Sequence, residues 1–190
     1  MGMKDKKKSY IQGAESIVIH NNNVLLGMQK QKRWYTLQNE EQAAIIKTIG
    51  GKVEDVDEKN TKKTIIREFF EEVKGIEKKN LIINNNPVFT KSIQMNQINP
   101  YESETKLRMN ADFYVLEIIN TNSILPNDLP ALLEIPIKEF IKIQFTHQIT
   151  LHSVEKYLIR NSRYSIKFPK YCAFMIPDEV KEYLKNMTND

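Results

Sequence analysis

The sequence predicts a layered fold in which helices pack on a mixed β-sheet, of the α/β or α+β kind. Two observations carry this. Short β-rich runs stand before, between and after helical segments. One helix, near residue 65, separates apolar from charged side chains cleanly enough to call for a sheet beneath one face.

Taken in order, residues 15–20 and the run from Val24 read as two strands, with three asparagines, Asn21 to Asn23, as the polar turn between them. Residues 30–41, polar around Trp34 and Tyr35, read as a loop. Residues 43–49 are apolar and lead into Gly50-Gly51. A helix then starts at Asn60 or Thr61 and reaches Lys74, with Gly75 as its stop signal. Residues 81–95 and 106–119 read as two long strands joined by a polar loop with Pro100. Residues 121–130 hold two prolines and read as a connection. Pro136 breaks the segment 132–143, and residues 151–160 and 178–187 read as helices. No repeat is visible and no linker is long enough to require two domains. Residues 13–190 are therefore read as a single domain behind a basic tail, residues 1–12, which holds Lys4, Lys6, Lys7 and Lys8.

The chain has 190 residues, 41% hydrophobic and 27% charged, which provides for a real core. Net charge is +4, much of it in the tail. That modest excess, with no basic–aromatic module, argues against a nucleic-acid partner. The single cysteine, Cys172, lies in an apolar stretch and reads as a buried structural thiol. It excludes an internal disulfide and favours a reducing compartment. No apolar run approaches the roughly 18 residues of a membrane span. No apolar segment follows the charged N-terminus, so it does not read as a signal peptide, and the cytoplasm is the expected location.

At about 100° per residue, Ile65, Ile66, Phe69, Phe70 and Val73 fall on one arc of the central helix. Arg67, Glu68, Glu71 and Glu72 fall on the other. Glu68 neighbours Glu71 and Glu72 at i+3 and i+4, where like charges destabilise a helix by about 0.2–0.5 kcal/mol per pair. A solvated acidic face is one reading of this cluster. The other is a cation site, because clustered carboxylates are hard oxygen ligands suited to Mg²⁺, Mn²⁺ or Ca²⁺. The upstream stretch TIGGKVEDVDE adds further acids, Glu54 and Asp57 or Glu58, beside a Gly-Gly turn.

The run GGKVEDVDEKNTKKTIIREFFEEVKGI resembles the Nudix box. Arg67, Glu68, Phe69, Phe70, Glu71 and Glu72 match the helical core without a gap, and Gly50-Gly51-Lys52-Val53-Glu54 matches the opening. The spacing departs elsewhere. Fifteen residues separate Gly51 from Arg67 where the family has thirteen, and one extra residue precedes Gly75. Five residues after Gly51 lead to Asp57 and six lead to Glu58, so the loop acid stays open between these two.

The resemblance implies an α/β/α sandwich around a mixed sheet. It also implies metal-dependent hydrolysis of a pyrophosphate bond in a nucleoside diphosphate linked to another moiety. Substrates of nucleotide-sugar, dinucleotide and nucleoside triphosphate type all fit. By position, the resemblance implies that Glu71 and Glu72 are ligands of Mg²⁺ or Mn²⁺, that Glu68 is a further ligand or the group that orients the water, that the Gly51 carbonyl ligates metal, that Glu54 faces metal or substrate, and that Arg67 holds a glutamate in place. Glu102 and Glu104 are candidate bases from a loop outside the box. Arg33, Trp34, Tyr35, Tyr101 and Arg108 are candidate substrate contacts, each equally readable as core or solvated surface. His20, His147 and His152 lack ligand spacing and read as structural or surface residues. Two further readings are compatible with the box: a nucleotide-sensing domain without turnover, and an RNA 5′-end pyrophosphohydrolase. Dimerisation is compatible with all of them.

Overall fold

A computed structural model describes residues 11–95, 107–121, 123–145 and 149–189. The first strands are β1 (Ile11–His20), β2 (Asn23–Met28), β3 (Tyr35–Thr36), β4 (Gln42–Lys47) and β5 (Ile49–Lys52). Helix α1 (Thr61–Glu72) follows, then β6 (Val73–Lys74), β7 (Leu81–Ile83), β8 (Phe89–Met95), β9 (Leu107–Ile118) and β10 (Leu125–Pro126). The remainder comprises β11 (Ala131–Pro136), α2 (Ile137–Phe140), β12 (Ile149–Thr150), β13 (Leu158–Arg160), β14 (Tyr171–Phe174) and α3 (Asp178–Asn189).

The main path of the sheet is β12-β14-β4-β2-β1-β9-β7. It is mixed: β1 runs parallel to β9 and β14 parallel to β4, while the other pairs are antiparallel. Strand alternation assigns the two faces. Ile17 and Ile19 of β1 join Val24 and Leu26 of β2 in one core. Ala14 and Val18 join Leu25 in the other. Helix α1 covers the second face with Ile65, Phe69 and Val73. Helices α2 and α3 cover the first with Ile137, Phe140, Val180 and Leu184. This is the α/β/α layering that the sequence predicts.

Local chemistry accounts for the ends of elements. Asn21 and Asn22 take positive φ, 46° and 62°, which asparagine tolerates, and so close the β1–β2 turn. Asn60 caps α1, its side-chain oxygen accepting from the N–H groups of Lys62 and Lys63 at 2.9 and 3.1 Å. Helix α1 stops at Glu72, short of the expected Lys74. Val73 is extended and fully buried, and it pairs with Pro126 in a small separate ladder, so tertiary pairing ends the helix before Gly75 does.

Other expectations are corrected in the same way. Strand β1 begins at Ile11, paired with Met109, inside the expected tail. Residues 81–95 are not one strand but β7 and β8, interrupted at Asn84 to Val88. The expected helix over residues 151–160 is two short 3₁₀ turns followed by β13, which pairs with β11. Residues 171–174 form β14, a strand that contributes Cys172 and Phe174 to the core. Cys172 is fully buried, and burial pushes its thiol up to about 12, in line with an inert structural role.

Candidate active site

Strand β5 lies antiparallel on β1, and α1 packs over both, so Gly50 and Gly51 pass beneath the charged face of the helix. A cleft of about 1110 Å³ opens here. Its lining includes the acids Glu15, Glu54, Glu68, Glu72 and Asp128 and the aromatic side chains of Trp34, Phe113, Phe145 and Phe174.

One part of this region is a fully paired clasp. Arg67 Nε and Nη2 donate to the two oxygens of Asp57 at 3.1 and 2.9 Å. Asp57 also accepts from Thr64 Oγ1 and from the Glu54 N–H, each at 2.9 Å. The Arg67 guanidinium beside it holds the Asp57 carboxyl down at about 2, although burial opposes this. The loop acid left open by the sequence is therefore Asp57. Glu58 takes a left-handed backbone and pairs with Lys63 on the surface at 2.6 Å. Arg67 also donates from Nη2 to the Lys52 carbonyl at 3.0 Å, from Nη1 to Glu68 at 3.0 Å, and to Glu71 at 3.3 Å.

The inner wall is different. Glu68 lies against β5, where a Cβ on Gly51 would sit 2.3 Å from its Oε1, so any side chain there would displace the Glu68 carboxylate. Burial raises the Glu68 pKa, with Arg67 opposing. Glu72 lines the cleft with its Oε2 sealed from solvent and without a hydrogen-bond partner. Burial, despite Lys47 and with the further push of Glu15, Glu68 and Asp128, raises its pKa to about 7.

Glu15 is buried on β1 and accepts from Thr48 Oγ1 at 2.7 Å. Lys47 Nζ stands 3.8 Å from Glu15 and donates to the Gly50 carbonyl at 2.8 Å. Burial works against the Lys47 charge, but Glu15, then Glu72 and Glu68, outweigh it and raise its pKa.

The expected site residues divide. Glu68, Glu72, Glu54 and Gly51 line the cleft. Glu71 is 55% exposed in its side chain and is turned to Arg67 at the rim. The Gly51 oxygen lies beside β1, 2.7 Å from where a Cβ on Gly13 would stand, and it is the Gly50 oxygen that meets Lys47. Arg33 and Trp34 line the cleft, Trp34 being 6% exposed with its indole N–H donating to the Gln29 carbonyl. Tyr35, proposed as a stacking ring, is fully buried in a cluster with Leu37, Ala43, Ile45 and Ala173 and presents no face to the cleft. Arg108 is exposed on β9, outside the cleft lining. Tyr101, Glu102, Glu104 and His147 lie outside the described residues. His20 is bound to Glu134 and His152 stands beside Glu155; neither lines the cleft.

Three cleft residues were not singled out in the sequence: Glu15, Lys47 and Asp128. Asp128 pairs with Lys30 at 2.6 Å. Its loop is tied to α1 and to Asn161. The Asn127 N–H donates to the Glu72 carbonyl at 2.8 Å, and Asn161 Nδ2 donates to the Asn127 and Leu129 carbonyls at 2.9 Å. These residues lie far apart along the chain, and no spacing rule announces them.

The layering has a counterpart among solved structures. A MutT protein from Methanosarcina mazei superposes with a TM-score of 0.54 at 11% identity, covering 97% of this chain and 99% of that one. The chain has the Nudix fold. Two other Nudix-like neighbours superpose less closely. The dihydroneopterin triphosphate pyrophosphohydrolase of E. coli has a TM-score of 0.49, 12% identity and coverage of 79% and 94%. An Ap4A hydrolase of C. elegans has a TM-score of 0.47, 15% identity and coverage of 70% and 85%. No family model matches the sequence, and no curated protein matches it. Within this Nudix fold, the box helix and the Gly-Gly strand are among the elements that border the cleft. Among the described residues no helix is long and apolar enough to cross a membrane.

Nudix hydrolases generally use a divalent metal, and the donor set can be tested for fit. Among the described residues no three His, Cys, Asp or Glu stand together as a ready cage. The chemistry nonetheless suits a hard cation. Glu68 and Glu72 offer carboxylate oxygens in one cleft, one of those oxygens is buried and unpartnered, and Mg²⁺ characteristically keeps several waters and takes only one or two carboxylates.

Proposed function

We propose that the protein hydrolyses a pyrophosphate bond in a nucleoside diphosphate linked to another moiety, using Mg²⁺ or Mn²⁺. The observation that carries this reading is the sealed, unpartnered Glu72 oxygen beside Glu68 in a cleft that also holds aromatic side chains. A buried carboxylate without a partner is costly, and a cation with a phosphate ligand relieves that cost. The bound ion would neutralise phosphate oxygens and activate a water for attack at phosphorus. Glu68 and Glu72 are the ligands that the cleft presents. Glu71, at the rim with Arg67, completes the set the box implies. Glu54 faces the same space from the loop.

Arg67 positions rather than reacts: tied to Asp57 and the Lys52 carbonyl, it fixes Glu68 through Nη1. Asp128, on a loop anchored to the end of α1, is a cleft acid outside the box that could take a proton from water; Glu102 and Glu104 are its competitors. Arg33 and Trp34 are the substrate contacts retained, with the substrate a nucleotide-derived small molecule.

The test is phosphate release from a panel of nucleotide-sugars, dinucleotides and nucleoside triphosphates with Mg²⁺ or Mn²⁺, run beside Glu72→Gln. Turnover lost in the variant supports the reading. The two extra residues between Gly51 and Arg67 leave room for one second reading, a domain that binds nucleotide without turnover. Thermal stabilisation by a nucleotide, with no product from any compound, would select it.

A further inference from the structure

Besides Arg67 on Glu68 and Lys30 on Asp128, the acidic side of the cleft holds a third cation, Lys47, whose position is unusual for a lysine. Lys47 ends β4, and its side chain is 20% exposed, so the ammonium is held largely within the protein. Its hydrogen bond goes to the Gly50 carbonyl, not to a carboxylate. Glu15 is only 4% exposed in its side chain, stands 3.8 Å away, and has Thr48 on its other oxygen. Gly50 packs so closely on β1 that a Cβ there would lie 2.2 Å from the Ala14 carbonyl and 2.9 Å from Glu15 Oε2. Backbone oxygen, buried carboxylate and ammonium are therefore fixed together. Glu72 and Glu68 act on the same ammonium electrostatically. A carbonyl oxygen and several carboxylates around one positive centre are the surroundings that a hard metal ion seeks.

We propose that Lys47 is the resident counter-cation of this wall, its ammonium holding the place beside Glu15 and the Gly50 carbonyl that a divalent ion would otherwise claim. The proposal rests on the reading of Glu68 and Glu72 as metal ligands. It makes Lys47 a positioning residue that keeps the glutamates compact without metal and lowers the affinity for free metal.

The alternative is a purely structural lysine that neutralises buried Glu15. Mn²⁺ binding separates the two, measured by electron paramagnetic resonance on the metal-free full chain without nucleotide. Lys47→Met should bind Mn²⁺ about tenfold more tightly than wild type, because like-charge repulsion at short range is removed. Lys47→Met leaves Glu15 buried and unpaired and can fail to fold. The double variant Lys47→Met/Glu15→Gln, compared with Glu15→Gln alone, decides the matter, because both lack the Glu15 carboxylate and differ only in the ammonium. Tighter binding in the double variant than in Glu15→Gln supports the counter-cation. Equal or weaker binding overturns it and leaves Lys47 a partner of Glu15. Glu72→Gln in the same titration tests the underlying reading. If Glu72→Gln binds like wild type, or no protein binds Mn²⁺, the metal assignment falls and the counter-cation falls with it.

Discussion

Two carboxylate regions on and around α1 use the same residue types and reach opposite states. At the Asp57–Arg67 clasp every described oxygen is partnered, and the acid is held down at about 2. At the inner wall Glu72 has an unpartnered buried oxygen and is pushed up to about 7. The clasp is chemistry completed within the chain. The wall is chemistry left open, and an open, buried carboxylate is where an external ligand has the most free energy to give. Acidic residues on and beside one helix are thus divided by the partners that the tertiary fold supplies.

The largest expected effect breaks the wall. Glu72→Gln should lower hydrolysis by about a thousandfold or more, as loss of a group that supports transition-state charge does. The same variant should melt higher than wild type in metal-free buffer near pH 8, because it removes a carboxylate that folding disfavours when charged. A lower melt would show that the oxygen has a partner in solution.

Next comes the clasp. Asp57→Ala leaves the Arg67 guanidinium without its bidentate partner, and chemical denaturation should register a loss of about 3 kcal/mol. An unchanged midpoint would make the clasp ornamental. The pH dependence follows from the same pair. The folded pKa of Asp57, about 2, lies below its unfolded value near 3.8, so the stability it adds is complete above about pH 4. That contribution, about 2 kcal/mol, declines as pH falls through 3 toward 2, and Asp57→Ala should show a flatter acid-denaturation profile over that range. The smallest effect sharpens the assignment of the loop acid: Glu58→Gln should leave both the melt and the activity at wild-type values. A Glu58 variant as damaged as the Asp57 variant would exchange the two roles.

What was legible in the sequence was local. The period of Ile65, Phe69 and Val73 identified the packed face of α1, and all three are fully buried. Asn60 announced the start of the helix, and the unbroken run from Arg67 to Glu72 fixed the charged face. These follow from bonds and contacts within one or two turns, which sequence spacing encodes directly. The same logic failed where pairing outweighed propensity. Residues 158–160 joined β11 as a strand, and Val73 left the helix to pair with Pro126.

By itself, the sequence determined that a box helix would present Arg67, Glu68, Glu71 and Glu72 together over a Gly-Gly strand. Only the tertiary structure decided what each would meet. It chose Asp57 over Glu58, sent Glu71 to the rim, sank Tyr35 into a core, and brought Glu15, Lys47 and Asp128 to the cleft. The reason is distance along the chain. Glu15 and Thr48 touch across a separation of 33 residues because β1 and β5 pair, and Asn127 reaches Glu71 across 56 because a loop returns to the end of α1. Such contacts depend on how strands register and which face each buries, and neither is written in the spacing of any single segment.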